Sequence, residues 1–184
     1  MLRTDAKPIT ADDYRDLPEG PPYCQLIEGD LCMAPSPDLF HQDIIGNLFF
    51  IIRSYLEAHP IGTAHLSPSD VYLTELNVYQ PDLYFVSKRR KSILSDQGAE
   101  GAPDLVVEIL SPRTARLDKG VKRQVYARTG VEELWLVDPD SKQIQVFHLS
   151  ESADKPASTH KGREIFQSPL FPGLRISLAK VFQR

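Results

Sequence analysis

The longest periodic pattern in the chain lies between Asp38 and His59. Apolar residues recur there at spacings of three and four positions, which is the spacing along one face of an α-helix. These residues are Ile44, Ile45, Leu48, Phe49, Ile52, Tyr55 and Leu56. Asp38 is a suitable N-cap and Pro60 follows the last residue, so the pattern predicts one long amphipathic helix between them.

A second pattern, the segment PDLVVEILSP at residues 103–112, predicts a buried strand over residues 105–110. Alternation places Glu108 on one strand face together with Val106 and Leu110. Apolar residues on both faces indicate a strand that is covered on both sides. An unpaired carboxylate in such a place costs several kcal/mol, so a cation, a metal ion or a proton must compensate Glu108.

Shorter patterns predict further elements around these two. Thr10 followed by Asp13 predicts a short helix that ends near Leu17. Residues 23–33 predict a hairpin of two short strands around Gly29. Residues 114–129 have helical periodicity and predict a second helix. Strands are predicted at residues 62–66, 70–76, 78–86 with an interruption at Pro81, 131–138 and 142–150, with loops at 92–102 and 150–162 and one or two strands in the tail.

This order of elements is typical of an α/β or α+β fold, in which helices pack against a sheet. The 184 residues, 41% hydrophobic and 25% charged, fit one globular domain over residues 1–184. We find no internal repeat or low-complexity tract that would indicate a second domain.

Composition and charge exclude several classes of protein. No run is apolar for long enough to span a membrane and the N-terminus lacks a secretion signal, so we expect a cytoplasmic protein without a membrane partner. The net charge of -4 argues against a positive coat over the whole surface, and any contact with nucleic acid must use local patches. Cys24 and Cys32 are assigned no chemistry.

Asp82 near the start of one strand and Glu108 within a later one are the first candidates for chemistry. Adjacent strands can bring both carboxylates to one face, where oxygen ligands suit Mg²⁺ or Mn²⁺. A divalent ion would supply the missing counter-charge for Glu108. The alternative is a structural ion pair between Glu108 and a lysine or arginine.

The helix predicted after Glu108 adds a candidate lysine. Asp118, Lys122 and Tyr126 fall at i, i+4 and i+8, on one stripe of that helix. Lys122 beside a phosphodiester could orient or deprotonate a water molecule, or stabilise negative charge. The alternative is a solvated helix face with an Asp118–Lys122 pair.

Other catalytic classes have no support in the sequence. The histidines and cysteines show neither HExxH nor CxxC spacing, there is no Gly-rich phosphate loop, and GxSxG is absent.

A set of segments in a fixed order resembles the Uma2 family, also known as the DUF820 group, within the PD-(D/E)XK nuclease superfamily. The resemblance runs from about Thr10 to Phe182, in the segments LIEGDL, PSPDLFHQDIIGNL, QPDLYF, PDLVVEILSP, DKGVKRQVYARTGVEELWLVD and SPLFPGLRI. It implies a restriction-endonuclease-like mixed β-sheet flanked by helices, with an N-terminal β-hairpin extension.

The resemblance also implies roles for single residues. Asp82 in QPDL is the motif aspartate and Glu108 in VVEIL the second acidic residue, and the backbone carbonyl of Ile109 is expected to join them around the metal. The chain departs from the superfamily motif at Leu110, where a lysine is usual, and Lys122 is the natural replacement.

Two further residues are expected near this site. Glu28, at the hairpin tip, occupies a position where many such nucleases place an acidic residue, although it could equally be a turn residue. His41, in the first turn of the long helix, could point toward the site, although a lone histidine is more often a packing residue.

We therefore expect an Mg²⁺-dependent endonuclease that hydrolyses DNA, with homodimer formation by analogy to the superfamily. The alternatives are a catalytically silent module that binds nucleic acid or a protein partner, and a scaffold with a buried ion pair. Basic residues expected to contact DNA are Lys88, Arg89, Arg90, Lys91, Arg113, Arg116, Lys119 and Arg123.

Overall fold

The computed structural model describes residues 7–18, 20–33 and 36–184. The helices in these ranges are α1 (Ala11–Arg15), α2 (Leu39–Ala58), a 3₁₀ helix (Lys88–Ile93), α3 (Ala115–Leu117), a π-helical turn (Asp118–Lys122), α4 (Arg123–Thr129) and α5 (Leu178–Val181). The strands are β1 (Cys24–Ile27), β2 (Asp30–Met33), β3 (Gly62–Leu66), β4 (Asp70–Thr74), β5 (Asn77–Tyr79), β6 (Leu83–Ser87), β7 (Leu94–Ser95), β8 (Gly98–Ala99), β9 (Leu105–Ile109), β10 (Glu133–Asp138), β11 (Gln143–His148), β12 (Ser158–Lys161), β13 (Ile165–Phe166) and β14 (Ile176–Ser177).

The strands of the described ranges form two mixed six-stranded sheets and a small β13–β14 pair. The central sheet has the order β12-β11-β10-β9-β6-β3, and the second sheet has the order β2-β1-β5-β4-β8-β7. In the central sheet β9 and β10 run parallel, joined by the helical crossover through α3 and α4. The predicted mixed sheet with flanking helices is confirmed, and the predicted N-terminal hairpin forms one edge of the second sheet.

Helix α2 packs against one face of the central sheet, as the periodicity predicted. The Asp38 side chain caps the helix by accepting a hydrogen bond from the backbone N–H of His41 at 2.8 Å. The burial of each apolar side chain of α2 against the sheet stabilises the folded state by about 1.5–3 kcal/mol. The helix side chains in this core are Ile44, Ile45, Leu48, Ile52 and Leu56. No helix within the described ranges combines the length and apolarity needed to cross a membrane.

The opposite face of the central sheet packs against α4 and the second sheet. Val106 and Leu110 lie in this core together with Val125 and Tyr126 of α4. Glu108 lies on the same strand face and is 4% exposed. The predicted alternation along β9 is confirmed, and it places the carboxylate between two layers of the fold.

The strand predicted over residues 78–86, with an interruption at Pro81, is two strands that lie in different sheets. β5 belongs to the second sheet and β6 to the central sheet, so the chain changes sheet between them. Pro81 lies in this link and has no N–H to donate to a sheet, which favours a break there. The break leaves Asp82 just before β6, at the edge where the two sheets meet.

The two predicted loops contain short strands. Residues 94–95 and 98–99 pair as β7 and β8 at one edge of the second sheet, and residues 158–161 form β12 at one edge of the central sheet. The sequence did not predict these strands because their residues are polar and show no apolar alternation. Backbone hydrogen bonds to a neighbouring strand are enough to form a short strand near the edge of a sheet.

The helix predicted over residues 114–129 is not continuous. The backbone leaves helical geometry at Gly120, with φ -109° and ψ -110°, and the π-helical turn joins α3 to α4. Gly130 ends α4 in the left-handed conformation, as expected for a glycine after a helix. The kink occurs between Asp118 and Lys122, whose side chains both face the sheet.

Candidate active site

The candidate site lies at the C-terminal end of β9, where four elements meet. β6 and β9 are antiparallel neighbours, and their register ends with Leu83 opposite Val107. Asp82 directly precedes β6, and its carboxylate accepts a hydrogen bond from the amide of Ile109, the residue after Glu108. The two carboxylates predicted from the sequence therefore lie near each other at this end of the sheet.

Glu108 is held in a buried hydrogen-bonded network. The Lys122 ammonium nitrogen lies 2.6 Å from Oε1 of Glu108 and 3.1 Å from Oδ1 of Asp118. The Tyr126 hydroxyl donates to the same Glu108 oxygen at 2.6 Å. All four residues are at most 4% exposed. The predicted stripe of Asp118, Lys122 and Tyr126 thus faces Glu108, and Lys122 supplies the cation that its burial requires.

The protonation of this network limits what each group can do. Burial raises the pKa of Glu108 to about 8, with Asp118 and Asp82 adding to the rise and Lys122 opposing it. Burial disfavours the Lys122 ammonium, but the charges of Glu108 and Asp118 outweigh this effect and raise the pKa of Lys122. Lys122 is therefore protonated at neutral pH, so it can donate hydrogen bonds or stabilise negative charge but does not deprotonate water.

Asp82 is fixed by two contacts through one oxygen. Its Oδ2 accepts a hydrogen bond from the backbone N–H of Ile109 at 2.7 Å and lies 3.3 Å from Nε2 of His41. Ile109 therefore contributes its amide to Asp82, in addition to the carbonyl predicted to bind a metal. The first turn of α2 places His41 beside Asp82.

His41 is buried against Asp82 and has a second ring nitrogen without a partner. Its Nδ1 makes no hydrogen bond to any described residue. Burial disfavours the imidazolium, but the hydrogen bond and charge of Asp82 outweigh burial and raise the pKa of His41. The histidine thus holds Asp82 in place and keeps one polar atom free beside it.

A His41→Gln variant is expected to lose more stability at pH 6 than at pH 9. The folded-state pKa of His41 lies above 6.5, so its interaction with Asp82 is fully present below that pH and is lost as pH rises through the folded pKa. We expect the two losses to differ by about 1 kcal/mol in urea unfolding. His59→Gln, at the other end of α2, is the control, and equal losses at both pH values would contradict the His41–Asp82 interaction.

The carboxylates of Asp82 and Glu108 fit a hard divalent ion that keeps several water ligands. They do not form a site in which the protein supplies every ligand. No group of three or more His, Cys, Asp or Glu side chains in the described ranges is arranged to hold a metal. Asp82 and Glu108 each use one carboxylate oxygen in the contacts above, and no described residue donates to the other oxygen. Mg²⁺ and Mn²⁺ accept one or two carboxylates completed by water and substrate phosphate. The two carboxylates fit an ion of that kind.

Glu28 lies apart from the two carboxylates. At the hairpin tip, with φ 51°, it pairs with Arg128 and accepts a hydrogen bond from Nδ2 of Asn77 at 3.2 Å. Arg128 lies six residues beyond Lys122, which is about 9 Å along a helix axis. Glu28 thus lies beside Arg128, and no hydrogen bond or ion pair joins Glu28 to Glu108.

Two residues that no sequence pattern distinguishes, Asn77 and Tyr79, connect Glu28 to the buried network. The Tyr79 hydroxyl donates to Oδ1 of Asn77 at 2.7 Å, and its ring lies edge-on to Tyr126 with centroids 5.4 Å apart. Both residues belong to the short strand NVY, which has no unusual pattern. Only the packing of the second sheet on α4 shows their position.

The basic turn at residues 88–91 does not border the two carboxylates. It follows the C-terminal end of β6 whereas Asp82 precedes the N-terminal end, so about 20 Å of extended chain separates them. Arg89 and Arg90 instead pair with Glu132. The basic turn therefore lies at the end of β6 that is opposite to Asp82.

The second group of basic residues lies closer to the site. Arg113, Arg116 and Lys119 are exposed on the segment that follows β9 and leads to Lys122. Arg123 is mostly buried and lies 3.5 Å from Asp154. Three exposed cations thus follow directly on the strand that carries Glu108.

Comparison with known proteins identifies the family. The sequence profile of Uma2, described as "Putative restriction endonuclease", matches residues 11–179. The chain belongs to the Uma2 family. The resemblance seen in the sequence motifs is thereby confirmed, and no curated protein matches the chain.

A solved structure shows the same fold for another Uma2-like protein. The crystal structure of a "putative nuclease belonging to DUF820" from Anabaena variabilis ATCC 29413 superposes with a TM-score of 0.78, over 95% of this chain and 98% of that chain. The two sequences are 23% identical. The restriction-endonuclease-like fold class is therefore shared across this sequence distance.

Proposed function

We propose that this Uma2 protein is a divalent-metal-dependent endonuclease that hydrolyses phosphodiester bonds of DNA. The observation that carries the proposal is the position of the Asp82 carboxylate, bonded to the amide of the residue after Glu108, together with a lysine buried against Glu108. Family membership supports the reaction class. A cytoplasmic location and a homodimer belong to the same proposal.

Four residues of the chain would bind the metal ion or orient its ligands in the proposed reaction. Asp82, Glu108 and the Ile109 carbonyl would hold Mg²⁺ or Mn²⁺. When bound, such an ion supplies an acidified water and positive charge at the phosphate. His41 and the Ile109 amide keep Asp82 oriented through its other oxygen.

Lys122 would act through its charge. Its ammonium is fixed between Glu108 and Asp118, which removes most of its conformational freedom before a substrate arrives. A fixed, desolvated cation stabilises negative charge better than a mobile, solvated one. Its position beside Glu108 therefore suits orientation of a water molecule or contact with a phosphate oxygen.

The closed Glu108–Lys122 pair also favours the second candidate function, a module that binds nucleic acid without cutting it. One oxygen of Glu108 is already saturated by Lys122 and Tyr126, so the network is stable as a structural ion pair. Such a module would bind DNA with the same affinity in Mg²⁺ and in EDTA, and would leave the substrate intact.

The decisive experiment is nicking of supercoiled plasmid by the purified chain. Parallel reactions contain Mg²⁺, Mn²⁺, Ca²⁺ or EDTA, and an Asp82→Asn variant is run in each. We expect nicking with Mg²⁺ or Mn²⁺, and we expect both EDTA and the Asp82→Asn substitution to abolish this nicking. DNA binding without nicking in every reaction would favour the binding module.

Neutralising Arg113 or Arg116 is expected to weaken DNA binding and to reduce its dependence on salt. Each exposed cation that contacts a phosphate contributes about one unit to the slope of log affinity against log salt concentration. Fluorescence anisotropy with a labelled duplex at several salt concentrations measures that slope for Arg113→Gln and Arg116→Gln. Lys88→Gln and Lys91→Gln are controls from the distant basic turn, and equal effects of all four changes would refute the assignment.

A further inference from the structure

A cavity of about 550 Å³ lies on the face of the second sheet that is turned away from Glu108. We call it the outer pocket. It is an open concavity lined by residues of α1, of the proline-rich segment after α1, of strands β1, β2 and β4, and of the turn between β7 and β8. Its volume lies within the range of small-molecule sites, about 300–1,000 Å³. Asp82, Glu108 and Lys122 do not line it. The outer pocket is therefore separate from the candidate active site.

The walls of the outer pocket are aromatic and apolar. Tyr14 and Tyr72 meet edge-on, with centroids 6.3 Å apart, and Tyr23 stands at the rim with 42% of its surface exposed. Leu17 and Leu31, each 38% exposed, extend the apolar surface. Large apolar side chains left partly uncovered around a concavity are typical of a site for an apolar or aromatic group.

One carboxylate within the outer pocket is held in place with half of its bonding capacity unused. Oδ1 of Asp70 accepts a hydrogen bond from Nε2 of Gln80 at 2.8 Å and lies 3.1 Å from the Tyr14 hydroxyl, whose shorter hydrogen bond, 2.7 Å, goes to the Cys24 carbonyl oxygen. No residue in the described ranges donates to Oδ2 of Asp70. Asp96 adds a second carboxylate to the lining. The fixed acceptor oxygen and the excess of negative charge favour a ligand that carries positive charge.

The pocket already accommodates one cation from the chain itself. The Arg15 guanidinium carbon lies 3.8 Å from the centroid of the Tyr72 ring, and its NH2 group lies 2.6 Å from Oε2 of Glu100. Among the described residues that line the pocket, Arg15 is the only lysine or arginine, and Glu100 neutralises it. The lining thus binds a cation by stacking, while the charge of Asp70 stays uncompensated.

We propose that the outer pocket binds an organic cation, a protonated amine carried on an aromatic or apolar body. The ammonium group binds Oδ2 of Asp70, and the body packs against Tyr14 and Tyr23. This ligand site does not depend on the nuclease activity, and its occupation is measurable in a chain that cuts no DNA.

Calorimetric titration of the whole chain at pH 7 tests the proposal with phenethylamine and with its neutral analogue 2-phenylethanol. We expect the amine to bind at least about tenfold more tightly than the alcohol, since only the amine forms the charged contact. Asp70→Asn should weaken amine binding by about tenfold and Tyr23→Ala by about fivefold. Asp43→Asn, an exposed carboxylate on α2, is the control that should change nothing.

Equal affinities for the amine and the alcohol would overturn the proposal, as would no saturation by the amine up to about 10 mM. Unchanged amine binding by Asp70→Asn would overturn it too. Circular dichroism shows whether Asp70→Asn folds. Should it not fold, the amine-to-alcohol ratio and the exposed Tyr23→Ala variant decide the question, because Tyr23 is not part of the core.

Discussion

Plasmid nicking by a Glu108→Gln variant is expected to fall by about 100-fold or more at saturating Mg²⁺. The amide removes the negative charge that binds a divalent ion opposite Asp82. Its size is nearly the same, and Lys122 keeps Asp118 as a partner at 3.1 Å, so the variant should remain folded. Initial nicking rates of the two proteins, measured with circular dichroism on the same samples, give the result.

Glu133→Gln is the matched control for that experiment. Glu133 is also a buried strand glutamate, accepting hydrogen bonds from Trp135 at 2.9 Å and from Ser168, and it pairs with Leu105 at the opposite end of β9. Its replacement should leave nicking unchanged. Retained nicking by Glu108→Gln would remove Glu108 from the proposed mechanism, and equal losses in both variants would indicate an effect of folding.

A Lys122→Met variant is expected to lose about 3–5 kcal/mol of unfolding free energy above pH 8, because it leaves Glu108 and Asp118 as buried carboxylates without their cation. The loss should shrink toward pH 5. The folded-state pKa of Glu108 is about 8 against an ordinary value of 4.5, so its ionisation costs stability as pH rises through this range. Without the ammonium the cost grows. Urea unfolding between pH 5 and pH 9 measures this dependence.

Two further variants separate the charge from its position in the chain. Lys119→Met changes an exposed lysine of the same turn and should alter stability by no more than about 0.5 kcal/mol. Adding Glu108→Gln to Lys122→Met removes one of the stranded charges and should recover part of the loss. A Lys122→Met loss that is small and independent of pH would contradict the buried charge network.

Elements specified by local pattern were predictable from the sequence. The apolar repeat of α2 and its Asp38 cap depend on residues within four positions of one another, and the structure contains both. The alternation in β9 likewise placed Glu108 on a buried face. The spacing of Asp118 and Lys122 put their side chains on one stripe even though Gly120 interrupts the helix.

Contacts between distant parts of the chain were not predictable in the same way. The sequence placed Asp82 and His41 near a common site, but the pairing of β6 with β9 and the seating of α2 decided which atoms meet. The distance of the basic turn from Asp82 followed from the direction of β6, which its own residues do not encode.

The sequence by itself predicted the long helix α2, the strand that carries Glu108 and the family, because side-chain periodicity and motif order are local properties of the chain. Tertiary structure alone decided that β5 and β6 lie in different sheets, that Glu28 pairs with Arg128, and that Lys122 is a buried cation paired with Glu108. These features depend on burial and on charges brought together across 14 to 100 residues. The energy of a charge is set by such an environment, which exists only in the folded chain.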